Sequence, residues 1–402
     1  MKRAAVACLL LLAGACSSSG GGQQAATTST TVTPSTTAAA PTTTTTEGPG
    51  TSHLEYVLLD GSIVVYDIDN GHRQVEQLPL PATTKGVRGV TAHPADHALY
   101  VSYGGDGPPN GNGSVLRYDL VARRVVWDRH YGHGVDSLAV SADGTVLYVP
   151  TGEQSTDGLW HIVRADTGDE TGTIKAGPGA HNTVIGASGR VYLGSRDHDE
   201  LLVYDPAADK VVKHVGRLKA GVRPFAVNGR ETLAFTTATR FLGFQVSDLA
   251  TGRVLHTLTF AGFSYDPKRF APSAPSHGLT LSPDEREVYV VDGPNSVVHV
   301  FDVTGLPAAA PRPVADIRLV HPFAGTSKPC AYDCARDGWV QHSRDGRYVY
   351  VGDSGDVIDT ATKKVAAYLP ALNNTRKCLE IDWRGGVPVF TTTRHGLGYV
   401  GR

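Results

Sequence analysis

The chain has 402 residues, a formal net charge of −2 and 19% charged residues. So even a balance, with no basic stripe, argues against a nucleic-acid partner. Glycine is abundant at 46 residues and Met1 is the single methionine, a mix that suits many short strands joined by tight turns.

The chain opens on Lys2 and Arg3, then an apolar run over residues 4–12, then Leu12-Ala13-Gly14-Ala15-Cys16. The run is too short to cross a hydrocarbon core about 30 Å thick, so residues 1–15 read as a secretory signal. The small residues before Cys16 resemble a bacterial lipobox. That resemblance implies cleavage before Cys16 and its diacylation, which places the mature chain on a membrane, facing outside the cytoplasm. Residues 16–52 are almost wholly Ser, Gly, Thr, Ala, Gln and Pro. Such a tract cannot bury enough apolar surface to offset its ordering entropy, and it reads as a disordered tether.

From residue 53 to 402 the chain repeats itself. Each unit has an apolar strand, an Asp/Gly turn, a Val-Tyr-Val strand, a strand ending in Tyr-Asp or Phe-Asp, and a last Val-rich strand. Asp136-Ser137-Leu138-Ala139-Val140 followed by Val146-Leu147-Tyr148-Val149 is one copy; His277-Gly278-Leu279-Thr280-Leu281 followed by Val288-Tyr289-Val290-Val291 is another. Tyrosines, or Ala234 in one unit, recur at 56, 100, 148, 192, 234, 289 and 350, mostly at gaps of about 42–48 residues. Four strands per unit at this period predict an all-β fold, a β-propeller. The N-terminal unit lacks a first strand, and residues 378–383 supply one. The ring is therefore expected to close by sharing one blade between the two chain ends. Seven blades is the reading and eight the alternative, because a surplus strand, residues 387–393, does not fit the tally.

Leu99-Tyr100-Val101, Val288-Tyr289-Val290-Val291 and the Ser-x-Asp-Gly turns resemble the YVTN-type propeller repeat family, over nearly all of residues 53–402. Relatives with this repeat include surface proteins without assigned chemistry, lactonase-like enzymes and antibiotic lyases. The resemblance therefore implies a fold and leaves the function open.

Aligning the repeats places one residue per blade at the leading end of each innermost strand: Arg88, Asp136, His181, Arg223 and His277. Asp337 follows one place off register, and Lys377 or Cys378, with Glu380 nearby, completes the set. Propeller sites usually lie at this mouth. Arg88 and Arg223 suggest a small anionic ligand, since guanidinium matches carboxylate or phosphate, with Asp136 and Asp337 orienting the histidines. His181 or His277 could transfer a proton in a lactonase- or lyase-like reaction. A divalent metal on the two histidines with Asp136 or Asp337 is a less favoured alternative, because positions 181 and 277 lie two blades apart. The remaining alternatives are an envelope protein as partner and a non-catalytic scaffold. The chain is expected to act as a monomer.

Cys330 and Cys334 flank Ala331-Tyr332-Asp333, a spacing that suits a small loop-closing disulfide; pairing of Cys378 with either one is the alternative. Two insertions, 262–275 and 305–335, interrupt the repeat. Their aromatic residues are candidates for the lips of a channel.

Overall fold

The computed structural model describes residues 50–108, 110–270, 273–326 and 335–392. Cys16, Cys330, Cys334 and nearly all of the expected tether lie outside these residues.

Seven antiparallel sheets form a ring, which makes the protein a seven-bladed β-propeller. Blade 1 runs outward from Cys378–Arg384 through Thr51–Leu59 and Ser62–Asp67 to Arg73–Pro79. The inner strands of blades 2 to 7 are Val87–His93, Ala139–Val140, Ala180–Ile185, Val222–Val227, Leu279–Leu281 and Trp339–His342. The outermost strand of each blade is the least buried. Val222–Val227 is buried throughout, whereas Lys210–Gly216, an outer strand, is exposed or half-buried at every residue but Val215. A two-faced sheet gains this burial only by stacking on both neighbours, so the blades stabilise one another through clusters such as Ala98, Tyr100, Trp127, Leu147 and Val163.

The repeat is visible in fine geometry. All seven blades carry a register shift between the third and fourth strands, at Val65/Tyr66, Arg117/Tyr118 and their equivalents. A bulge at this place increases strand twist and bends the outer edge. The Ser-x-Asp turns repeat as well: Ser141, Ser282 and Ser343 donate to Asp143, Asp284 and Asp345 at 2.6, 2.6 and 2.7 Å.

Ring closure follows the expectation. Thr51–Leu59 pairs antiparallel with Cys378–Arg384, from Thr51↔Arg384 to Val57↔Cys378. Across the seam Tyr350 of blade 7 hydrogen-bonds His72 of blade 1 at 3.1 Å. The surplus strand is resolved as Val387–Thr391, a fifth strand on the inner edge of blade 1. It lies against Val87–His93 and the short turn Pro94–Asp96, at the trailing ends of the inner strands. It adds no eighth blade.

Candidate functional site

The leading ends of the inner strands converge at the channel mouth. Neighbouring inner strands approach closely there, and glycine makes room. A Cβ on Gly89 would fall 2.8 Å from the Asp136 carbonyl oxygen, and one on Gly278 2.9 Å from Trp339 Cα. Each glycine adjoins a mouth residue, so side chains from different blades can touch.

All six residues singled out from the repeat, Arg88, Asp136, His181, Arg223, His277 and Asp337, are buried here. Arg88 Nη2 lies 2.9 Å from Asp136 Oδ2, 3.1 Å from Glu153 Oε1 and 3.1 Å from Asp106 Oδ2. Arg223 Nη1 donates to the other oxygen of Glu153 at 2.5 Å, and its Nη2 donates to Ser273 Oγ at 2.8 Å. Glu153 thus joins the two arginines. On the far side Arg376 pairs with Asp337 and lies 3.5 Å from Asp353. The mouth is a packed charge network, and the arginines carry their own counter-charges.

His181 Nδ1 lies 2.9 Å from Asp136 Oδ2. A carboxylate only accepts, so this nitrogen donates and carries the proton. His277 Nδ1 donates to the Gly338 carbonyl oxygen at 3.1 Å, and Asp337 Oδ1 stands 3.4 Å away. Although blade 5 separates their blades, the two imidazoles approach to 5.9 Å between ring centroids. Burial, and then Arg376 and Arg223, hold His277 well below the usual histidine range. The neutral ring, protonated on Nδ1, presents a bare Nε2. His181 Nε2 and Arg223 Nε are buried without a hydrogen-bond partner.

Burial works to raise Asp136, but Arg88 and His181 outweigh it and hold the carboxyl below its ordinary range. Glu153 behaves alike: burial opposes ionisation, and Arg223, His181 and Arg88 overcome it. Asp106 is raised by burial, which Arg88 offsets only in part.

Four network members escaped the sequence reading: Asp106, Glu153, Asp353 and Arg376. The first three follow the second strands of blades 2, 3 and 7. Arg376 precedes the expected Lys377, which is also buried. Glu380 does not join the mouth. It lies further along the inner strand, opposite Glu55, where burial and Asp382 raise its pKa well above normal. Cys378 is buried at the head of that strand.

The described parts of the two insertions pack on the blades. Phe263 meets His299 edge-on at 4.7 Å and Tyr265 donates to the Arg240 carbonyl at 2.8 Å. His321 stacks on Tyr368 at 3.9 Å and contacts Asp356. Among the described residues no group of three or more His, Cys, Asp or Glu is poised around a metal position, and no helix is long and apolar enough to cross a membrane.

No protein-family model and no curated protein matches the sequence. Among solved structures, the chain is similar to Kuenenia stuttgartiensis hydrazine synthase at 16% identity and a TM-score of 0.51, over 69% of this chain and 77% of that one. This likeness reflects the fold alone.

Proposed function

We propose that this protein is a lipid-anchored, extracytoplasmic propeller of the YVTN-repeat type that binds a small anionic ligand at the channel mouth. Residues 1–15 would be the signal, Cys16 the lipid site and residues 16–52 the tether, with the propeller acting as a monomer. One observation carries the binding site: Arg223 Nε, a buried N–H donor without a partner, occupies a mouth whose arginines are already fixed in place. Donors held by the protein need little reorganisation to receive a ligand. The internal carboxylates weaken the pull on any anion, so selection falls to that unpartnered donor. An envelope protein across the propeller face is the competing partner.

The test is a thermal-shift panel on the full chain with carboxylates, sugar phosphates and lactones. A ligand that binds only the folded state raises Tm by mass action. A rise lost in Arg223→Ala supports the mouth; a rise that persists there, or none across the panel, rejects it.

A second reading, catalysis, is favoured by His277, neutral and with a bare Nε2. That is the protonation state in which a general base starts, while burial, Arg376 and Arg223 also weaken its pull on a proton. Lactone turnover by the wild type that vanishes in His277→Ala would convert the binding site into an active site; equal turnover removes His277 from the chemistry.

A further inference from the structure

We infer that His181 and His277 together hold one first-row transition-metal ion, of the zinc, copper or nickel class, across the channel mouth. The inference rests on the mouth being a ligand site and names what would anchor the ligand there.

The two imidazoles come from blades 4 and 6, yet their centroids lie 5.9 Å apart. Two imidazoles sharing an ion at about 2.0–2.1 Å place their centroids roughly 5–6 Å apart. In each ring the nitrogen that would not bind the ion is already used: Nδ1 of His181 by Asp136 at 2.9 Å, and Nδ1 of His277 by the Gly338 carbonyl at 3.1 Å. A carboxylate or carbonyl on the far nitrogen is the outer support that ligating histidines carry, since it fixes the tautomer and the ring plane. His181 Nε2 is buried with no partner, a cost that a bound ion would remove.

Arg376 and Arg223 oppose a bare cation at His277, so the ion is expected to carry an anion on its open positions. Arg223 is paired with Glu153 and Arg376 with Asp337. Imidazole nitrogens select zinc, copper or nickel over magnesium or calcium, which prefer oxygen. Two protein nitrogens leave coordination positions open. Those positions would accept an anionic ligand, so metal and anion should bind with reciprocal positive coupling.

The experiment uses tag-free full chain. Zn²⁺ is titrated against wild type, His181→Ala and His277→Ala by thermal shift, with Mg²⁺ as control, and Cu²⁺-loaded wild type is examined by electron paramagnetic resonance. The expected result is a Tm rise of the order of 3 °C at a hundredfold excess over Kd, absent in both variants and absent with Mg²⁺. The Cu²⁺ spectrum should show two equatorial nitrogens, a readout that does not depend on the variants folding. No Zn²⁺ response at millimolar concentration, a response kept by both variants, or a Cu²⁺ spectrum without two nitrogens overturns the inference. Anions that shift the metal-free wild type while Zn²⁺ does not would leave the binding proposal standing and reject the metal alone. Silence to both rejects both.

Discussion

Two buried charge clusters, the channel mouth and the ring-closing blade, resolve the same problem in opposite ways. At the mouth Arg88, Arg223 and Arg376 face Asp106, Asp136, Glu153, Asp337 and Asp353, and each arginine is paired. Compensation keeps Asp136 and Glu153 ionised despite burial. In blade 1, Glu55 and Glu380 oppose each other on the closing strand pair, with Asp382 two residues on. There Arg344 reaches Asp382 at 2.6 Å and gives Glu380 only a backbone N–H at 2.7 Å. With too few cations, burial raises Glu55 to about 8, partly offset by a hydrogen bond with Cys378. A buried acid is therefore not by itself the mark of a site. The compensated cluster can meet a ligand's charge, whereas the uncompensated one gives up its own.

The contrast is broken most forcefully at Glu153, which joins Arg88 to Arg223. Glu153→Ala leaves two buried guanidiniums without their shared counter-ion and should cost about 3–5 kcal/mol in urea unfolding. A loss under about 1 kcal/mol would show that water replaces the carboxylate.

The pH dependences should run in opposite directions. Glu55 is raised in the folded state, so the fold holds a proton that the unfolded chain releases. Its stabilising contribution is full below its ordinary value of 4.5 and is lost as pH rises toward about 8. The span from 4.5 to about 8 corresponds to about 5 kcal/mol. Glu153 is depressed, so its contribution is present above the ordinary carboxylate range and is lost in acid. Hydrogen exchange should therefore rise at residues 54–57 in mild alkali and at the mouth in acid. Glu55→Gln should flatten the alkaline limb only; an unchanged limb would mean that Glu55 is ionised in the fold.

Smaller still is the seam latch. Tyr350→Phe removes the hydroxyl bonded to His72 and should cost about 1–2 kcal/mol, read as a lower Tm. Val126→Thr, at an exposed outer-strand position, should move stability by less than about 0.5 kcal/mol.

The repeat made most of this legible from sequence. The period predicted the blades, and the missing first strand predicted a closure carried by residues 378–383. Arg88, Asp136, His181, Arg223 and His277 share one repeat position, Asp337 lies one place off it, and all six meet at one mouth. Three of the four misses share a cause. Asp106, Glu153 and Asp353 come from the loops after the second strands, a further set on the same face. Counting three to six residues beyond Tyr100, Tyr148 and Tyr350 would have found them. Loop lengths vary from blade to blade, which hides that register. Residues 387–391 were misfit because they add to the inner edge of a sheet already complete, a placement no repeat unit encodes. Convergence of His181 and His277 depends on channel width, which strand patterns do not report.

The most direct measurement is histidine-ring ¹⁵N NMR of the full chain during ligand titration, with His181→Ala and His277→Ala for assignment. The account predicts that His277 is neutral, protonated on Nδ1 with a bare Nε2 at neutral pH, and that its Nε2 signal and that of His181 move together when a mouth ligand binds. A His277 found protonated on Nε2, or ring signals that stay fixed while a ligand binds elsewhere, would contradict it.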